Sequence, residues 1–68
     1  MNILGLSDRG LCALWEAVQK AFRADEESIA LGHEPEYGVR TFKDWKEWSD
    51  QLETEMQKRG IQFKPIAW

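Results

Sequence analysis

Thr41-Phe42-Lys43-Asp44-Trp45-Lys46-Glu47-Trp48-Ser49-Asp50-Gln51-Leu52-Glu53-Thr54-Glu55-Met56-Gln57-Lys58-Arg59-Gly60 is the stretch that decides the fold class. Phe42, Trp45, Trp48 (or Ser49), Leu52 and Met56 recur at steps of three and four, which lays one apolar stripe along a helix. Thr41 is placed to cap it, and Asp44 three residues on completes a short-armed capping box. Lys58 and Arg59 followed by Gly60 form the expected stop: cations in the last turn, then a residue that tolerates a left-handed backbone.

Working back toward the amino terminus, a second helix start stands at Leu6-Ser7-Asp8-Arg9-Gly10-Leu11. Ser7 serves as N-cap, Asp8 puts negative charge in the first turn, and Leu6 with Leu11 forms a hydrophobic staple. Gly10 occupies the place of a capping-box glutamate. Leu11, Leu14, Trp15, Val18 and Phe22 then form the apolar stripe, and Glu16 and Lys20 offer an i,i+4 ion pair. Asp25, Glu26 and Glu27 would be poorly placed at a helix C-terminus, where the dipole repels anions. Ile29 falls seven residues after Phe22 and keeps the stripe in phase. The reading is therefore a continuous helix ending at Gly32, and a short third helix over Asp25 to Leu31 is the main variant.

Between the helices, His33-Glu34-Pro35-Glu36-Tyr37-Gly38 reads as a loop, because Pro35 disfavours helix before it and Gly38 punctuates its end. After Gly60, Ile61-Gln62-Phe63-Lys64 alternates apolar and polar residues until Pro65 removes a donor, so the tail reads as extended. The expected architecture is all-α: one domain over residues 1–68, a two-helix antiparallel hairpin with extended N- and C-terminal segments packed on it. Pairing of the two termini as a minimal ribbon is a further variant.

Composition narrows the function. With 68 residues, 43% of them hydrophobic, the chain is not compositionally disordered. Yet chains below roughly 70–80 residues seldom build a self-sufficient core without a disulfide, a metal or a partner. The one cysteine, Cys12, cannot form an internal disulfide, and no Cys/His spacing suits zinc, which leaves dense packing of the large aromatics or association, with association favoured. Met1–Leu6 lacks a basic leader region and does not read as a signal peptide. No apolar run is long enough to cross a membrane. A cytoplasmic protein is expected.

No constellation reads as catalytic, and no cofactor or metal site is expected. Cys12, His33, Glu34 and Glu36 lack metal-ligand spacing, and a buried small cysteine is the simpler account. Nucleophilic chemistry at Cys12 would need an exposed thiol, yet its neighbours are Leu11, Ala13 and Leu14. Consecutive Asp25, Glu26 and Glu27 point around a helix and suggest a solvated face instead of a shared pocket. The reading is that the protein is not an enzyme.

Binding is the better lead. Four Trp in this length is a marked excess. Trp15, Trp45 and Trp48 fall on the stripes and are expected in the hairpin core, while Trp68 closes the aromatic tail with Phe63 and Ile66. That tail either covers the hairpin, the favoured arrangement, or inserts into a partner. Residues 24–36 carry five acidic and no basic side chains, whereas residues 40–46 carry Arg40, Lys43 and Lys46 against one acid. A hairpin brings these segments together, either to pair with each other or to orient a partner. The expectation is a small interaction module (adaptor, inhibitor or regulatory subunit) with a protein partner or a second copy of itself. Its candidate contacts are Trp68, Phe63, Ile66, Trp48, Arg40, Lys43 and Lys46. Single-stranded nucleic-acid binding through Arg40, Lys43 and Lys46 beside stacking rings is the alternative, disfavoured by the net charge of −3.

Overall fold

Ser7 begins the first helix as expected: its Oγ accepts a hydrogen bond of 3.0 Å from the Gly10 amide. The structure, a computed structural model, describes residues 3–68. A single 3-10 turn, Ile3–Gly5, precedes α1, Asp8–Ala30, and α2 spans Lys43–Lys58. No strand occurs among the described residues, so the terminal ribbon is absent there; Met1 and Asn2 lie outside them. Among the described residues no helix is long and apolar enough to cross a membrane.

The continuous reading of α1 holds, and no break separates Asp25 to Leu31 from the rest of the helix. Both helices end in the same way. Gly32 donates to the Ile29 carbonyl and His33 to that of Ser28; Gly60 donates to Gln57 and Ile61 to Met56. These paired bonds satisfy carbonyls left over by the last turn, and they require the positive φ of 81° at Gly32 and 73° at Gly60.

At the start of α2 the expectation needs correcting. Phe42, not Thr41, is the N-cap, and no side chain caps it. The cause is the preceding turn: Thr41 and Phe42 both donate their amides to the Gly38 carbonyl, at 3.0 and 2.9 Å. Thr41 is thereby spent in the turn, and the chain enters the helix one residue later. At Gly38 the positive φ of 71° disfavours any side chain, and a Cβ there would lie 2.8 Å from the Phe42 ring.

Leu11, Trp15 and Val18 of α1 meet Leu52 and Met56 of α2, with Ile3 from the amino-terminal turn and Ile66 from the tail completing the core. On α2 the inner row runs Trp45, Ser49, Leu52, Met56, so the small Ser49 takes the buried place and Trp48 is pushed outward. Trp48 is 36% exposed and Trp45 half-buried, so of the three expected core indoles only Trp15 is buried. The expected Glu16–Lys20 pair does not form among the described residues.

Polar clamps close the open end and the tail side. Arg59 donates to the Leu6 carbonyl at 2.7 Å and to Asp8 at 3.0 Å, while its Nε bonds Glu55 at 2.8 Å. The Glu55 bond, then that of Asp8, raises the guanidinium pKa above its ordinary value, so it stays charged. Glu53 Oε2 accepts from both Trp15 Nε1 at 2.9 Å and the Ile66 amide at 3.0 Å, joining α1, α2 and the tail through one oxygen.

Candidate functional site

Two helices and a tail make three walls, and the tail covers only one side. It packs where Trp15 and Phe22 face it: Phe63 lies 5.9 Å from Trp15 and Trp68 lies 5.1 Å from Phe22, centroid to centroid, both edge-on. Successive residues turn by about 100° around a helix, so Leu14, Ala17, Ala21 and Ala24 lie on the flank of α1 away from the tail. There an apolar groove of about 640 Å³ runs between α1 and α2. Val18 and Leu52 form its floor, and Trp45 and Trp48 its α2 wall. Lys20 is the one charged residue that lines it.

The upper end of the groove is built by Asp25. Leu11, Val18 and Asp25 are seven residues apart and therefore share one inner row, which carries the carboxylate to the buried end of the hairpin. Asp25 is only 2% exposed, which corrects its assignment to a solvated face. Its two oxygens accept the Tyr37 and Val39 amides, each at 2.8 Å. Burial by itself would push this carboxyl up. The amides of the loop, Val39 and Tyr37 foremost, outweigh it and hold the pKa below its ordinary value. With its backbone so fixed, Tyr37 reaches over the groove. Its ring sits 6.2 Å from Trp45, which in turn is 5.6 Å from Trp48, both pairs edge-on.

The residues singled out from sequence divide between two places. Trp48 lines the groove. Arg40, Lys43, Lys46 and Trp68 come together instead in a separate cleft of about 410 Å³, shared with Glu47 and Asp50. Arg40 stands 4.9 Å over the Phe22 ring, pairs with Glu26 at 2.9 Å and donates to the Trp68 carbonyl. Lys46 pairs with Asp50 at 3.1 Å. The charge segregation of the sequence is thus partly consumed within the chain, and the cleft carries nearly balanced charge. Phe63 and Ile66 are packed on the helices, half-buried and buried respectively.

Sequence reasoning missed Asp25, Glu53 and Tyr37. The signal for Asp25 was its place in the heptad row, whereas nothing in the spacing marks Glu53, whose partners lie 38 and 13 residues away. Cys12 is a free thiol, half-buried beside the core. Among the described residues no group of three His, Cys, Asp or Glu side chains could hold a metal ion. Comparison with protein families, curated proteins and solved structures finds no significant match to this chain.

Proposed function

We propose that this domain is a protein-interaction module whose α1–α2 groove receives the apolar face of a helix. The observation that carries the reading is an apolar trough left open between two packed helices, with an indole and a phenol exposed along it. From Leu14 to Ala24 it runs ten residues of α1, about 15 Å at 1.5 Å per residue. Anchors at positions i, i+4 and i+7 of an incoming helix span about 10 Å and fit within that length. Alanines on one wall leave room for a helix to approach, and the rings on the other supply large contact area of the kind enriched at binding hot spots. Nucleic-acid stacking has less support. Trp45 and Trp48 line the groove, while Lys43 and Lys46 line the other cleft.

Photo-cross-linking in cells tests the reading. Benzoylphenylalanine at Trp48 or Lys20 is expected to give discrete adducts with a protein chain, self or foreign. The same probe at exposed Gln62, on the tail, serves as the background. Groove positions that give no adduct above the Gln62 background would refute the module.

A further inference from the structure

We infer that the groove face is closed by a second copy of this chain, with α1 packed antiparallel on α1 of that copy about a two-fold axis level with Val18. This inference rests on the groove being a helix-binding site and adds the identity of the helix. Its basis is a charge pattern that the monomer leaves unused. Arg9, Glu16, Lys20 and Glu27 are all exposed, and none forms an ion pair among the described residues. At 100° per residue they fall within one 40° stripe of α1, next to the stripe that carries exposed Ala13 and Ala17 and half-buried Ala24.

The order of charges along that stripe is plus, minus, plus, minus, and it is self-complementary under reversal. Arg9 and Glu27 lie nine residues either side of position 18, about 13 Å each way; Glu16 and Lys20 lie two residues either side, about 3 Å each way. A two-fold axis perpendicular to α1 at that level sets Arg9 against Glu27 of the partner subunit and Glu16 against Lys20 of the partner subunit. Symmetry repeats both pairs. The same operation sets the alanines near one another, where small side chains permit close helix approach, and leaves Trp48 flanking the incoming helix. In a parallel arrangement the same residues would meet like against like.

Size agrees with this occupant. α1 has 23 residues and is about 35 Å long. A face of that length and two helices wide offers about 700 Å² per subunit, near the roughly 800 Å² of a standard interface. Closing it as a four-helix bundle would also supply the association expected of so short a chain.

The test is sedimentation equilibrium of the purified chain from 1 to 100 μM at low salt, with charge-reversal variants at these exposed sites. A dimer is expected for the native chain. Glu16→Lys or Lys20→Glu alone turns two attractive contacts into repulsive ones and should raise the dissociation constant about tenfold. The combined E16K/K20E swap should return it to within about threefold of the native value. Circular dichroism checks that each variant remains helical. A native monomer throughout this range overturns the second-copy inference, as does a dimer indifferent to the single reversals or not rescued by the swap. Foreign adducts from the groove in cells, with a monomer in the centrifuge, would leave the module standing with another protein's helix in the groove. Absence of adducts would remove the module itself.

Discussion

Replacing Asp25 with alanine should destabilise the protein far more than removal of an acid from a run of three would suggest. The carboxylate is buried and accepts two loop amides at 2.8 Å, so the substitution leaves Tyr37 and Val39 N–H groups without their acceptor. Hydrogen bonds to charged groups contribute about 1.5–3 kcal/mol each. Two of them make about 3–5 kcal/mol, reduced by a few tenths because alanine is the better helix former. A domain of this size has about 3–10 kcal/mol in all. The substitution therefore removes a third of the stability or more. Asparagine keeps one acceptor oxygen but turns an NH2 group toward the other amide, so about half the loss is expected.

Urea unfolding followed by tryptophan fluorescence measures the global part of this loss, and amide exchange at Tyr37 and Val39 measures local release of the loop. The pH dependence supplies an independent check. Because the native carboxyl has a pKa below that of the unfolded chain, the unfolded chain takes up the proton first as pH falls. The stabilisation is complete above the unfolded pKa and drains away as pH drops through the lower native value. The gap between native protein and D25A should be constant from about pH 5 to 7 and shrink below pH 4. An alanine variant with unchanged midpoint and unchanged amide protection would refute this role of Asp25 in holding the loop.

Glu53→Ala should cost about 2–4 kcal/mol in urea unfolding, since one oxygen holds both the Trp15 indole and the Ile66 amide; exchange should rise across residues 61–68. Ser49 is fully buried and its hydroxyl has no hydrogen-bond partner among the described residues, so Ser49→Ala should leave the thermal midpoint unchanged or raise it, by up to about 1 kcal/mol in stability. Gly60→Ala should lower stability by about 1 kcal/mol through its backbone alone, because φ is 73° and no atom lies within 4 Å of the added Cβ. A steeper loss would mean the turn is doing more than ending α2. Leu52→Ala, at the fully buried centre of the interface, should cost about 2–5 kcal/mol and sets the scale for the others.

The helices were legible because their evidence is local. Ser7, the staple of Leu6 and Leu11, the unbroken phase to Ile29, and the glycines at 32 and 60 each act within a few residues of where they stand. Thr41 failed as a cap for an equally local reason that composition does not reveal: the Gly38 turn claims its amide first. Trp48 and Ser49 show the limit of periodicity. Both fit a three-or-four step from Trp45, and hydropathy favours the indole, but the inner row took the serine. That one-residue choice puts Trp48 beside the groove.

What spacing could not supply was the set of long-range polar links that decide which surfaces remain free. Arg40 reads as part of a binding patch because its sequence neighbours are basic and aromatic, and it does line a cleft with Lys43 and Lys46. Folding gives it Glu26, the Phe22 face and the Trp68 carbonyl, and so makes it a fastener for the tail. With Phe63, Ile66 and Trp68 closing one side of the hairpin, four of the eight aromatic residues, Trp15, Phe22, Phe63 and Trp68, build the tail side of the molecule. Three more, Tyr37, Trp45 and Trp48, line the groove opposite Leu14, Ala17, Val18, Lys20, Ala21 and Ala24 of α1. A hairpin that needed only a lid would gain by filling that side as well, with a larger residue at Ala17 or Ala24. Leaving it open costs the monomer buried apolar area that so short a chain can ill spare, a cost that the proposed helix-binding role would offset.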